Sequence, residues 1–299
     1  MTEPVASSLP ALREPRRPHG ASAAWMIAPA LVLLAVFLVL PYFNIIVMSL
    51  RVPTVGAPYA PGFTLGNYGR VLGDGYYLGV LADTLTLGLT TTLICLLLGY
   101  PVAYHLARTD SRWKGLLYVA VLSPLLVGVV VRSFGWLILL SNNGVVNKAL
   151  IDLGLVDSAL ALMNNRFGVT LALVHVFLPF MILPLIGTIQ SIDPNLEAAG
   201  RSLGASRLKV FQTIYLPLSW PGIQAGTILV FVLSLSAYVT PVMLGGAQVK
   251  TMSVLVVQSL IDNFQWPTGA ALALILAGSG GAAVLLYARL TRRAMRGIE

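Results

Sequence analysis

Charge is what this sequence lacks. Only 10% of its 299 residues are Asp, Glu, Lys or Arg, against about 25% in soluble globular domains. So few charges cannot cover a water-facing surface. With 57% hydrophobic residues and a mean hydropathy of +0.84, the composition is that of an integral membrane protein. Cysteine is nearly absent too. Cys95 stands alone, which excludes an intramolecular disulfide and a cysteine metal site, and its apolar surroundings make it a small core residue. No G-x-x-x-x-G-K-[ST] phosphate loop occurs, and no glycine is followed by lysine, so the chain is not its own ATP motor. No paired carboxylates and no Ser-His-Asp set stand beside a cavity, which argues against an intramembrane enzyme. His105 and His175 have no second His, Cys or carboxylate at a zinc-binding spacing, and His175 reads as a hydrogen-bonded side chain between helices.

What is present is apolar length. A transmembrane helix needs about 20 mainly apolar residues, and six runs qualify: 25–50, 78–105, 115–140, 167–190, 218–244 and 270–290. The first outruns the ~7–15 apolar residues of a cleavable signal and has no small-residue cleavage site after it. The formal charge of +8 sits between these runs, so it speaks of topology and not of nucleic acid. With a cytoplasmic N-terminus, thirteen basic residues fall on inner segments and five on outer loops, as the positive-inside rule requires. The expectation is an all-α integral membrane protein of six transmembrane helices over 24–295, with both ends cytoplasmic. The Pro/Arg-rich segment 1–23 reads as a disordered tail, and 296–299 as a short cytoplasmic end.

Between the fourth and fifth runs the chain reads EAAGRSLGASRLKVFQTIYLPLSWPG. Asp193 before Pro194 is an N-cap followed by proline at the first helical position. Gly204 is placed to end that helix in a left-handed conformation. Ser206 caps a second short helix, and Pro217 and Pro221 set the return to the membrane. The product is a helix–turn–helix elbow over about 193–217. Its small-residue face admits a close protein partner; the alternative is an amphipathic loop lying on headgroups.

Gly204, nine residues, then Ile214-Tyr215-Leu216-Pro217 match the G-x9-I-x-L-P half of the "EAA" signature. The chain thereby resembles the membrane (permease) subunits of binding-protein-dependent ABC importers, whose elbow is a coupling helix seated in a groove of the ATPase. The resemblance implies coupling roles for Glu197, Ala198, Ala199, Gly204, Ala205, Ser206, Ile214, Leu216 and Pro217. One departure stands out: four residues, not three, separate Ala199 from Gly204. Counted back from Gly204, the family's glutamate falls on Ala198, and Glu197 lies one place early. Within the family, LLLGYPVAYHLAR (96–108), VVVRSFGWLILLSNNGVVN (129–147), HVFLPFMILPL (175–185) and SAYVTPVMLGG (236–246) are similar to the spermidine/putrescine-type permeases, a group that also includes permeases for other small organic solutes. The resemblance further implies a pair of separate ATPase subunits carrying ATP and Mg, with no cofactor on this chain. It implies a second, different permease, an extracytoplasmic solute-binding protein and residence in a bacterial inner membrane.

Charges inside a membrane are costly and mark functional candidates. Asp83 and Arg132 are the two clear ones within the spans. In one reading Asp83 attracts a cationic solute and Arg132 orients a gate; in the other Asp83 is a first-turn acid favoured by the helix dipole and Arg132 snorkels or is paired. Phe134, Trp136 and Tyr238 are gate aromatics or membrane anchors. Thr240-Pro241 predicts a kink or break in the fifth span, and such breaks persist where they line a cavity. Gly222 with Gly226, and Gly278, Gly280 and Gly281, offer close helix packing. The mechanism expected is alternating access driven by a partner ATPase. The rival, an ATP-independent secondary transporter or channel, calls for coupling-ion carboxylates or inverted repeats, and neither is evident.

Overall fold

A computed structural model describes residues 20–54 and 56–295, with side chains over 27–54 and 56–291. The expected tail lies outside the described residues except for 20–23, which already belong to a helix, and the end 296–299 lies outside them too. The chain divides into two units, Met1–Val47 and Met48–Glu299. The first contributes most of α1 (Gly20–Ser49), whose stretch Ile27–Ser49 is long and apolar enough to cross a membrane.

The second unit opens on a hairpin that apolar runs do not foretell, β1 (Arg51–Val52) paired antiparallel with β2 (Ala60–Phe63). Arg51 holds it from within, its guanidinium 5.1 Å from the Tyr59 ring and 4.5 Å from the Phe63 ring. Helices follow almost without interruption: α2 (Gly66–Gly73), α3 (Gly75–Arg108), α4 (Lys114–Leu126), α5 (Val129–Leu140), α6 (Val145–Asp152) and α7 (Arg166–Gln190). The elbow consists of α8 (Pro194–Ser202), α9 (Arg207–Val210), a π-helical turn over Phe211–Tyr215 and α10 (Leu216–Leu218). Then come α11 (Trp220–Ser236), α12 (Val239–Gly245), α13 (Met252–Val257) and α14 (Trp266–Met295). Among the described residues five stretches are long and apolar enough to span, and counting Arg207–Leu218 with Trp220–Ser236, bent by 64°, as one broken span gives up to six.

Two expected spans turn out divided. The third, expected as one helix over 115–140, breaks between α4 and α5 at Val127 and Gly128, both extended (ψ 131° and 142°). Pro124 cannot donate to the carbonyl of residue 120, and the Ser123 hydroxyl donates to that carbonyl instead, at 2.9 Å. The fifth breaks at Ala237–Tyr238, a few residues before the proline expected to cause it. Pro241 lies in the first turn of α12, where a missing N–H removes no helical hydrogen bond.

The central helix is α7, buried along most of its length and packed against α3, α4, α5, α11 and α12. Apolar burial alone drives little helix association in lipid, so close packing and interhelical hydrogen bonds must do it. Gly222 and Gly226 bring α11 onto α7. A Cβ at Gly222 would stand 2.6 Å from Thr188 Oγ1, and one at Gly226 2.7 Å from Met181 Sδ. Of the three glycines noted in the last span only Gly280 meets a neighbour, Leu235 at 2.7 Å. Two buried hydroxyls are spent locally, Thr84 and Ser234 donating to the carbonyls four residues back, and Thr84 Oγ1 also accepts from Met252 N–H at 2.9 Å, tying α13 to α3.

We expect Gly222→Ala to destabilise the chain by about 1–3 kcal/mol through overpacking, read as a lower thermal unfolding temperature in detergent. Gly79, where an added Cβ meets nothing within 4 Å, is the control. Gly79→Ala should leave stability unchanged or raise it by roughly 0.5–1 kcal/mol.

Candidate functional site

The elbow folds as local chemistry dictates. Asp193 Oδ1 accepts from Asn195 N–H at 2.9 Å, with Pro194 in the first turn. The helix ends in a Schellman turn: Gly204 N–H donates to Arg201 O at 2.9 Å and Ala205 N–H to Gly200 O at 3.1 Å. That turn needs a left-handed residue, and Gly204 has φ +84°. Ser206 then caps the second arm, its Oγ accepting from Lys209 N–H at 3.3 Å. The arms close on each other at Gly200, where a Cβ would lie 3.1 Å from Ile214 Cδ1 and 3.4 Å from Val210 Cγ2. The tip is apolar and ringed by cations: Leu203 is 89% exposed and Leu208 65%, beside Arg201, Arg207 and Lys209.

The candidates divide between two faces. Ala198, Ala199, Gly204 and Ser206 are exposed, as is Leu216. Ala205, Ile214, Pro217 and Glu197 are half-buried. Glu197 turns inward: its Oε2 accepts from the Tyr215 hydroxyl at 2.6 Å, and its Oε1 lies 2.7 Å from Arg201 Nη2. Tyr215 is 1% exposed. The Arg108 guanidinium stacks over its ring at 5.1 Å and donates to Ile192 O at 2.7 Å. Arg108, Tyr215 and Gly200 are the residues sequence reasoning missed here.

A second cluster lies where the two divided spans meet. Ser133 of α5 and Thr240 of α12 are buried with their hydroxyls 3.2 Å apart. Arg132 donates from Nη2 to the Val127 carbonyl, the one left open by the break. That contact answers the question of its partner: the guanidinium caps the end of α4. Its Nε is buried with no partner among the described residues. Trp136, read as anchor or gate, instead donates from Nε1 to His175 Nδ1 at 3.2 Å, joining α5 to α7. This places the imidazole proton on Nε2. Phe134 and Tyr238 are exposed, and Tyr238 sits at the second break itself.

Asp83 is apart from this cluster. It lies toward the end of α3 opposite the elbow, 3.4 Å from Arg166 Nη1, and Arg166 also donates to Thr86 Oγ1. Lys250 lines the same small pocket. One carboxylate facing two cations is no trap for a cationic solute. Between α3, α4 and α7 runs an apolar cavity of about 560 Å³ bordered by His105 and His175.

Residues 95–296 match the family described as "Binding-protein-dependent transport system inner membrane component". The chain is 34% identical over 266 residues to the spermidine/putrescine transport system permease protein PotB of Escherichia coli (strain K12), covering 89% of this chain and 96% of that protein. Its identity to the PotB of Haemophilus influenzae is 30% over 263 residues, 88% and 92% of the two chains. Among solved structures, a chain of the bacterial alginate ABC transporter, in complex with alginate pentasaccharide-bound periplasmic protein, superposes with a TM-score of 0.74 at 18% identity, over 92% of this chain and 97% of that one. Apolar spans, two of them divided, and an elbow carrying Gly204 and Ile214-Tyr215-Leu216-Pro217 thus stand within a chain that belongs to the inner-membrane permease components of binding-protein-dependent ABC importers.

Proposed function

We propose that the elbow is the seat of a separate ATPase subunit, that α5 and α12 line half of a translocation path, and that the solute is a polyamine of the spermidine/putrescine class. The single observation that carries the first part is the Schellman turn at Gly204. It holds the exposed Leu203 at the tip of two braced helices, where a groove on another protein can take it. Two such seats serve a pair of ATPases, so a second permease, different from this one, completes the path. ATP and Mg reside on the ATPases, and this chain binds no cofactor and breaks no covalent bond. ATP drives the change only because it binds better to closed than to open ATPases, so that closure displaces the elbow and shifts the spans from outward to inward access. The elbow and both chain ends face the cytoplasm. The binding protein docks on the opposite face.

The likeness to PotB over nearly its whole length supports the polyamine. The charges of this half give a further condition. Its central cluster holds Arg132, and the one acid of the spans, Asp83, is engaged with Arg166. Two unit charges of like sign 4 Å apart repel by about 4 kcal/mol at an effective dielectric of 20. Attraction of a polycation therefore falls to the other permease and to the binding protein.

Purification in mild detergent from the native cell should bring down an ATPase subunit and a second permease with this chain. Gly204→Asp strains the left-handed turn by about 1–2 kcal/mol and sets a charge at the tip; we expect it to lose the ATPase. A chain that comes out alone and moves solute without ATP would show the secondary-transporter reading to be right. The binding protein recovered with the complex should bind spermidine in titration calorimetry; no heat would exclude polyamine and leave the importer intact.

Sidedness has its own test, since the native thiol, Cys95, is buried. A membrane-impermeant maleimide should label Leu153→Cys in intact cells stripped of outer membrane, and Leu203→Cys only after permeabilisation. The reverse pattern would invert the topology.

A further inference from the structure

Three residues of α3 share one face over its last two turns: Tyr100, Tyr104 and Arg108 follow at intervals of four. All three touch the elbow arm. Tyr100 packs edge-on against Phe211 at 5.4 Å and its hydroxyl lies 2.8 Å from Ser219 Oγ, at the joint where the elbow enters α11. Tyr104 meets the Tyr215 ring edge-on at 5.0 Å. Arg108 covers that ring and holds the Ile192 carbonyl, where α7 gives way to the elbow. Tyr215 passes the contact on to α8 through Glu197. Entry, first arm and exit of the elbow are thus all fastened to one face of one helix.

We propose that Glu197, Tyr215 and Arg108 form a clamp that makes the elbow and α3 move as one body, so that Glu197 is a positioning residue and not the contact to the ATPase. Both carboxylate oxygens are engaged within the chain, Oε2 by Tyr215 and Oε1 by Arg201. The two neighbours of Glu197 in the Glu-Ala-Ala that do face outward, Ala198 and Ala199, offer methyl groups alone. The one-residue offset of the Glu-Ala-Ala thus turns a carboxylate from the outer face of the elbow to its inner face. Removing it strands the buried Tyr215 hydroxyl, and an unsatisfied buried donor is more costly than the bond itself. α3 has 34 residues, about 51 Å of helix at 1.5 Å per residue. A displacement gripped at Arg108 is therefore delivered at the opposite end, beside Asp83 and the face where a binding protein docks.

This proposal rests on the ATPase seating at the elbow, and its test separates the two. The intact complex is isolated from the native cell, and ATP hydrolysis is measured with and without its own binding protein carrying endogenous solute. Tyr215→Phe keeps the ring and loses only the hydroxyl. It should retain the ATPase at wild-type stoichiometry with unchanged basal hydrolysis, while stimulation by the binding protein falls about tenfold, the size of one charge-assisted hydrogen bond. Glu197→Gln keeps an acceptor for the Tyr215 hydroxyl and loses only the charge, so stimulation should fall less than in Tyr215→Phe, and the double variant should be no worse than Tyr215→Phe alone, because the two residues act through one bond. Full stimulation in Tyr215→Phe overturns the clamp. So does loss of the ATPase from Glu197→Gln with Tyr215→Phe unaffected, which would make Glu197 a direct contact. If the wild-type complex carries no ATPase, the seating at the elbow fails and the clamp with it.

Discussion

Backbone amides and carbonyls find no water in the core of a bilayer, so each interruption of a helix there must be answered by the protein itself. The interruptions in the third and fifth expected spans are answered residue by residue. At Val127–Gly128 the stranded carbonyl accepts from Arg132, one turn into the next helix, and Ser123 takes the carbonyl that Pro124 leaves free. At Ala237–Tyr238 the Ala237 carbonyl accepts from the Ser253 hydroxyl, and the helix beyond is pinned through Thr240 to Ser133. Each joint is thereby fixed in place. A span so divided can turn side chains and backbone toward a path without leaving polar groups exposed to lipid, and the helices beyond the two joints are pinned to each other at Ser133 and Thr240.

The elbow meets a different constraint, which is brevity. Its first helix has nine residues and its second four, well below the ~12–15 at which an isolated helix becomes even marginal in water. Its shape must come from fastenings. An N-cap contributes about 1 kcal/mol, and the partly exposed Glu197–Arg201 pair at most about 1. The hydrogen bond from the buried Tyr215 hydroxyl to the Glu197 carboxylate belongs to the class worth about 1.5–3 kcal/mol. The inward glutamate is on this reckoning, with the Arg108 bond to the Ile192 carbonyl, among the strongest fastenings of the elbow, which is why its direction matters more than its place in a motif.

Chemistry confined to a few neighbouring residues was legible in the sequence. Asp193-Pro194, Gly204 and Ser206 carry their instructions locally, and each occupies the cap or turn that its side chain favours. The divided fifth span was legible as a fact but misplaced, because a proline is as much at home in the first turn of a new helix as at the end of an old one. The break at Gly128 was not seen, since an uninterrupted apolar run masks it and its main stabiliser, Arg132, reads as an isolated charge. Pairings across the chain leave no local trace: Asp83 with Arg166 spans 83 residues, and Tyr100 with Ser219 spans 119. One distant contact did have a signature. Tyr100, Tyr104 and Arg108 at helical spacing on an otherwise apolar segment mark a polar and aromatic face that has to find a partner.

What the scaffold settles and what it leaves to particular side chains can be separated by comparison. The fold is shared over 92% of this chain with one from an importer of alginate, an acidic polysaccharide, while two relatives at 30–34% identity are named for the polycations spermidine and putrescine. A backbone common to assemblies named for solutes of opposite charge cannot itself select either sign. Selection must lie in residues added to that backbone or in other subunits. In this half the charges are few and already engaged, Asp83 by Arg166 and the Arg132 guanidinium by the end of α4. Their first duty is to hold helices and joints. These charges of the chain are accordingly structural, Asp83 and Arg166 joining α3 to α7 and Arg132 closing the joint between α4 and α5.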